Sequence, residues 1–349
     1  MAGPASQNMD EALALLNPWQ RGFPLVSEPY AVLAQSLGCS TAELLERLRA
    51  LQQQGALSRI GGVFAAQTGG AALLAAMAVP PDRLDAVASI VSAHPGVNHN
   101  YEREDRYNLW FVMTASDQAG LEQSMLALER ATGLAAMRLS MLRPYRIDLG
   151  FDLRRRTAGA PVSEAPRRRP EPVAAADLPL AALVEQGLPL VERPYAAWAA
   201  ELGCNEADVI ACLQRWLDAG TMSRFGAVVR HHEFGFDANA MTVFDVPDEQ
   251  VDACGAALAR ADGVTLAYRR VRAPGWRYNL YCMVHGRDRD AVLAVIDSLV
   301  ESCGLAGYPR RVLFSRRRFK QTGPRRFRAL PSSGSDLALL KTEPDHAHA

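Results

Sequence analysis

Lysine is nearly absent from this 349-residue chain: Lys320 and Lys341 are the only two among 38 basic side chains, and the rest are arginine. The 38 acidic side chains balance them, so no net field draws the chain to nucleic acid or to an anionic membrane. No apolar run approaches the roughly 20 residues of a membrane helix, and no signal-peptide pattern opens the chain. The six cysteines (Cys39, Cys204, Cys212, Cys254, Cys282 and Cys303) form no C-x-x-C pair. That spacing suggests neither a zinc knuckle nor a disulfide framework, and reduced, mostly buried thiols are expected. A soluble, cytoplasmic protein without a metal site is the expectation.

What is present is an ordinary globular balance of 49% hydrophobic and 22% charged residues. The length calls for two or more domains. The arginines supply planar forks suited to carboxylates or phosphates.

An internal repeat organises the chain. Residues 22–63 (GFPLVSEPYAVLAQSLGCSTAELLERLRALQQQGALSRIGGV) align without a gap on 187–228 (GLPLVERPYAAWAAELGCNEADVIACLQRWLDAGTMSRFGAV). Shared positions include Pro29/Pro194, Tyr30/Tyr195, Gly38/Gly203, Ser58/Ser223 and Arg59/Arg224. The match resumes at GVNHNYERED–RYNLWFVM (96–113) and GVTLAYRRVRAPGWRYNLYCMV (263–284), with a short insertion around Ala273–Pro274–Gly275.

Each copy opens with Pro at a helix start, Gly at its end, a capping Ser40 or its counterpart, and a Leu44, Leu45, Leu48, Leu51 stripe. With the β-rich SRIGGVFAA this predicts a winged helix-turn-helix. Alternating strand and helix patterns then follow in the order β-α-β-β-α-β, a ferredoxin-like domain. The expected fold class is α+β, a tandem duplication of winged helix-turn-helix plus ferredoxin-like domain. The expected boundaries are an N-terminal tail over 1–16, the first helix-turn-helix over 17–66 and its ferredoxin-like domain over 67–153. An Arg/Pro/Ala-rich linker over 154–180 precedes the second helix-turn-helix over 181–232 and its ferredoxin-like domain over 233–327. A disordered tail over 328–349 holds His346 and His348 as solvated residues.

This architecture resembles the Lrp/AsnC regulators, which makes DNA binding one candidate. Glu43 and Glu46 in one recognition helix, and Glu206 and Asp208 in the other, weigh against it. They would face phosphates at the positions from which base-reading side chains come.

The copies also act as controls for each other: a position needed only for the fold should look alike in both. The histidines do not. His99 corresponds to Leu266, while His231 and His232 correspond to Ala66 and Gln67. His99 alternates with Val97 and Tyr101 on one strand face, where it is either a satisfied core histidine or a general acid with a tuned pKa. His231 and His232 point to opposite faces if extended, so at most one of them faces a site. His94, at a helix end, reads as a dipole partner, and His285 as a solvent-facing residue. Arginines interleaved with Tyr268, Trp276 and Tyr278 suit a large, flat polycarboxylate, with aromatics on its face and guanidinium forks at its edge.

Together, SRIGGVF and SRFGAVV, GVNHNYERED–RYNLWF and RHHEFGFDANAMTVFDVPDE resemble the siroheme decarboxylases of heme d1 and alternative heme biosynthesis. The resemblance covers nearly the whole chain outside the linker and tails. It implies a carboxy-lyase in which two related halves form one enzyme. That enzyme would remove carbon dioxide from the C12 and C18 acetates of siroheme to give 12,18-didecarboxysiroheme. It further implies siroheme as substrate and ligand, no separate cofactor, and catalytic histidines at His99 and His231 with His232 adjacent. Tyr101 would orient the reacting group, and Arg59, Arg224, Arg230, Arg270 and Arg277 would hold carboxylates. An imidazole ligating the siroheme iron is the alternative role for either histidine. Expected partners are other heme d1 biosynthesis proteins and further copies of the chain, with neither nucleic acid nor membrane. The rival readings are an Lrp/AsnC-type transcription regulator and a tetrapyrrole carrier without catalysis.

Overall fold

The computed structural model describes residues 15–147, 170–229 and 238–328. Helix α1 (Pro29–Leu37) starts on a proline, whose missing N–H has no partner to lose in the first turn, and stops at Gly38 with φ 67°. Helix α2 (Thr41–Gln53) is held by a capping box: Ser40 accepts from the Glu43 N–H, and the Glu43 carboxylate accepts from the Ser40 N–H. The second copy repeats the pair as α6 (Pro194–Leu202) and α7 (Glu206–Asp218).

The two helix-turn-helix units share one core, in which Phe23, Tyr30 and Leu44 pack with Trp198, Leu213 and Trp216. The repeated Pro-Tyr pair explains their docking. The Tyr30 hydroxyl donates to the carbonyl of Pro189 at 3.1 Å, and the Tyr195 hydroxyl donates to that of Pro24 at 2.8 Å. This reciprocity is what a two-fold dimer shows, built here within one chain.

The strand read as a wing is different. Strand β1 (Leu57–Phe64) pairs with β7 (Met222–Val229), its counterpart in the other copy, to make a two-stranded antiparallel ribbon. Gly61 faces Gly226 across it. A Cβ at Gly61 would lie 2.7 Å from the Val184 carbonyl oxygen, and one at Gly226 would lie 2.3 Å from that of Trp19. The glycines of SRIGG and SRFG therefore answer to close approach of backbone.

Two of the expected boundaries move. Leu15 and Leu16 are buried in the helix-turn-helix core, so that unit begins inside the expected tail. Helix α5 (Leu178–Gln186) begins inside the expected linker, because Leu180, Ala181, Leu183 and Val184 form an apolar stripe on the same core.

The first ferredoxin-like unit comprises β2 (Ala71–Met77), α3 (Leu84–Ala93), β3 (Val97–Arg103), β4 (Leu109–Ala115), α4 (Gln118–Thr132) and β5 (Met137–Leu139), which continues past Ser140 as β6 (Met141–Ile147). The second comprises β8 (Ala238–Phe244), α8 (Val251–Arg260), β9 (Val264–Arg270), β10 (Leu280–Gly286), α9 (Arg289–Ser302) and the long β11 (Arg310–Gln321). The strand order is β5-β2-β4-β3-β11-β8-β10-β9-β6. Strand β11 pairs with β8 of its own copy over Arg310–Phe314 and with β3 of the other from Ser315 on. Strand β6 does the same in reverse, leaving its own copy to pair with β9. Each copy thus covers the other's open edge, and the sheet closes on itself.

The helices pack on the outer faces, in one apolar cluster per copy. The inner faces form a third cluster that mixes the copies: Trp110, Leu74 and Leu139 with Trp276, Tyr281, Met241 and Leu313. Matching cations cap two of the outer helices. Lys320 Nζ donates to the carbonyls of Ser92 and His94 at the end of α3, and Arg146 Nη1 donates to those of Ala259 and Ala261 at the end of α8. His94 is therefore not the charged dipole partner. Burial holds its pKa down to about 4, and its Nδ1 accepts from the Gly96 N–H.

Among the described residues, no helix is long and apolar enough to cross a membrane. The insertion around Ala273 has a structural use, since it carries Trp276 into the core between the copies, 2% exposed, against Trp110 and Tyr278. Trp276→Ala should cost about 3–5 kcal/mol by leaving a cavity there. Urea unfolding would measure it, and a loss under about 1 kcal/mol would show that this contact does not hold the copies together.

Candidate active site

A β-bulge decides which way His99 faces. Register slips between Val97 and His99, so that Val97 pairs with Met113 and His99 with Val112. Val97 and Met113 lie in the helix-side cluster, whereas Val112 packs on the cluster between the copies. His99 and Tyr101 therefore face inward together, and the expected alternation with Val97 is broken by the bulge. Their rings stack at 6.3 Å with planes 20° apart.

Strand β11 completes this face from the other copy: Gln321 pairs with His99, and Arg318 with Tyr101. Arg318 Nη1 donates to Gln321 Oε1 at 3.2 Å, which joins the two. Beyond them, Arg103 lies over the Tyr101 ring at 5.6 Å, and its Nη1 donates to the Leu313 carbonyl at 3.0 Å.

The second copy repeats the tyrosine–arginine pair. Arg270 lies 4.6 Å over Tyr268, and its Nη1 donates to the Leu139 carbonyl at 2.7 Å. Its buried Nε has no hydrogen-bond partner. Burial pushes the Arg103 guanidinium down to about 10, and Tyr101 and Tyr268 both act on its charge, so pairs from the two copies meet in one region. Arg103 remains cationic at neutral pH.

Electrostatics fix the state of His99. Burial holds its pKa down to about 4, so the imidazole is neutral at pH 7. Its Nδ1 lies 3.1 Å from Asn98 Oδ1. With the amide oxygen accepting, Nδ1 carries the proton and Nε2 keeps its lone pair. The expected near-neutral acid is thus, without ligand, a weak base. Carboxylates brought beside it would raise its pKa and let it carry a proton.

Three further expected site residues, Arg59, Arg224 and Arg277, lie on other elements. Arg59 is buried on the ribbon, where its Nη2 approaches the Gly62 carbonyl at 3.4 Å and its guanidinium packs against Gly323, two residues beyond Gln321. Arg224 donates to the carbonyls of Gln20 and Ala227 beneath the helix-turn-helix core. Arg277 is surface-exposed and held by Asp245 at 2.5 Å. The structure does not bring Arg224 or Arg277 to the His99 face. Trp276 and Tyr278 are core residues, not an open platform. His285 is half-buried, with Nδ1 2.8 Å from Thr265 Oγ1, rather than free in solvent. Arg230, His231 and His232 lie outside the described residues.

A cavity of about 130 Å³ is lined by Asp105, Tyr107, Trp276 and Arg311, and one of about 470 Å³ by Arg49, Arg59 and Gly187–Val191. Neither touches His99, and neither holds a histidine. Among the described residues, no group of His, Cys, Asp and Glu could hold a metal ion.

A duplicated helix-turn-helix and ferredoxin-like plan, with each copy's sheet completed by a strand of the other, defines a member of the AsnC-like class. The AsnC-like ligand binding domain matches residues 67–146 and 233–320, and the siroheme decarboxylase NirDL-like HTH domain matches 13–57 and 178–222. The chain is 42% identical to the siroheme decarboxylase NirDL subunit of Paracoccus pantotrophus, over 90% of this chain and 96% of that one. It is 51% identical to the siroheme decarboxylase NirD subunit of Pseudomonas aeruginosa, which spans 41% of this chain and is itself 96% covered. The crystal structure of the siroheme decarboxylase NirDL with an iron-uroporphyrin III analogue superposes with a TM-score of 0.62 at 27% identity, covering 92% of this chain and 95% of that one. The chain belongs to the siroheme decarboxylase family.

In the ligand-free protein, His99 should titrate near pH 4 by ring-nitrogen NMR. It should move upward when a polycarboxylate tetrapyrrole binds. An ordinary value near 6.5 that does not respond to ligand would show that the ring is solvated and apart from the site.

Proposed function

We propose that this chain decarboxylates the C12 and C18 acetates of siroheme to give 12,18-didecarboxysiroheme. The observation that carries the proposal is the inward face on which His99, Tyr101 and Arg103 come together, with Arg270 over Tyr268 on the matching face of the other copy. Among the described residues, an imidazole and a phenol stand there beside guanidinium cations, for a substrate that bears eight carboxylates.

In each step the bond between the acetate methylene and its carboxylate breaks, and carbon dioxide leaves. The electron pair stays on the side-chain carbon and spreads into the conjugated macrocycle. A proton then forms the new C–H bond, so acetate becomes methyl and one proton is consumed. Neutral His99 is placed to take up that proton through Nε2 once the substrate's carboxylates raise its pKa, and to deliver it to carbon. Tyr101, stacked on the ring, orients it. The guanidiniums of Arg103, Arg270 and Arg318 hold spectator carboxylates and place the reacting one. The macrocycle is the electron sink, and the scheme uses no further cofactor. Ligation of the iron by the same Nε2 is the competing role for His99.

Anaerobic incubation with siroheme, followed by product mass and absorbance, tests the reading. Wild type should lose two carbon dioxides, and His99→Ala should turn over at least about a hundredfold more slowly while still binding. Arg103→Lys and Arg270→Lys, which keep charge but lose the fork, should raise KM more than they lower kcat. Binding without loss of carbon dioxide would make the chain a carrier. Salt-sensitive, sequence-specific binding to DNA in a shift assay would make it a regulator.

A further inference from the structure

We infer that Asn98 is a positioning residue for His99. From the β-bulge beside that histidine, its side-chain oxygen keeps the ring proton on Nδ1 and leaves the Nε2 lone pair for the substrate. This deepens the proposed decarboxylation and rests on it.

A neutral imidazole carries one proton, and the partner of one nitrogen decides where it sits. At His99 that partner is Asn98 Oδ1, 3.1 Å from Nδ1. An amide oxygen can only accept, so the contact is made by Nδ1–H. The opposite tautomer would set two lone pairs against each other. It would also place a proton on the nitrogen that has to take one up. Asn98 is buried, which leaves little water to compete for that oxygen.

The bulge that aims the amide is held from the other copy. The extra residue of a bulge is ordinarily left without a partner in the ladder. Here the chain runs on beyond Gln321 as a strap, and the Thr322 N–H donates to the Asn98 carbonyl at 2.7 Å. The Arg325 N–H donates to Thr114 Oγ1 at 2.9 Å. The far end of the strap is fixed on the helix-turn-helix core. There the N–H groups of Arg326 and Phe327 donate to the buried Glu185 carboxylate on α5, at 2.9 and 3.1 Å. The Arg326 guanidinium donates to the carbonyls of Phe64 and Ala65.

The second copy supplies an independent sign. Strand β9 bulges at Thr265, the counterpart of Asn98, where Met283 pairs with Leu266 and Val284 with Val264. Thr265 Oγ1 lies 2.8 Å from Nδ1 of His285. His285 stands two places beyond Met283 on β10 and so shares its inward face. The Thr265 hydroxyl donates its one proton to the Met283 carbonyl at 3.1 Å, so towards His285 it can only accept. Both bulges thus present an oxygen to Nδ1 of an inward imidazole, although the two imidazoles sit on different strands. A bulge needed for chain geometry alone has no use for an acceptor there.

Two measurements on the full chain test this. By ring-nitrogen NMR at neutral pH, the His99 signal, assigned by its loss in His99→Ala, should show a protonated Nδ1 and an unprotonated Nε2. A proton on Nε2 would overturn the inference, and this reading needs neither turnover nor a variant of Asn98. Second, Asn98→Leu keeps the bulk and removes the acceptor. Its His99 ring should exchange between tautomers, and kcat with siroheme should fall about ten- to a hundredfold while KM moves less than about threefold. Asn98→Asp, which returns an acceptor oxygen, should restore the Nδ1–H tautomer and turn over faster than Asn98→Leu. Wild-type kcat in Asn98→Leu, or a loss that Asn98→Asp does not repair, would make Asn98 a structural residue only. Failure of wild type to release carbon dioxide would instead sink the proposed function, while the tautomer would still be read from the spectrum.

Discussion

The structure depends on one constraint, that a ferredoxin-like sheet has an open edge which must be covered. Each copy covers the other's: β11 runs off β8 onto β3, and β6 runs from the end of β5 onto β9. Neither half of the chain closes its own sheet. The inward face that carries His99 exists only because Gln321 and Arg318, from the far end of the sequence, pair beside it. Folding and site assembly are thus one event, and separating the halves would expose both edges and divide the site.

Duplication also sorts the residues by task. Positions that stayed alike hold the fold. Asn108 clamps the backbone of Val79 through both ends of its amide, and Asn279 does the same to Val246. Tyr30 and Tyr195 cross between the helix-turn-helix units, and Gly61 and Gly226 admit neighbouring backbone. Positions that diverged, His99 against Leu266 and Arg318 against Pro144, are those that change the chemistry of the two faces. The sorting has an exception. Arg103 and Arg270 are alike in both copies and lie over Tyr101 and Tyr268, where the proposed two-fold grip would use the same residue twice.

That exception shows where sequence reading stops. The duplicated plan and the order of helices and strands were legible, because capping residues, apolar spacing and the repeat are local or self-referential signals. Arg103 was visible in the repeated Tyr-x-Arg spacing but hidden by the premise that chemistry lies in the differences. Arg318, Gln321 and the inter-copy ribbon were not visible, because pairing between distant strands leaves no mark in local periodicity. The bulge at Asn98, which turns His99 away from Val97, likewise depends on register and not on composition. Arginine was the hardest to sort from composition: Arg59 and Arg224 reach backbone carbonyls, and Arg277 pairs with Asp245, contacts that no local pattern marks.

The most direct test of the whole account is a structure of the full chain with siroheme bound under anaerobic conditions. The account predicts the macrocycle between the two inward faces, with carboxylates on Arg103 and Arg270 and one ring C or D acetate at His99 Nε2. A macrocycle bound instead in the cavity beside Arg59 and Gly187, or against the exposed helix-turn-helix surface, with His99 out of reach, would contradict it.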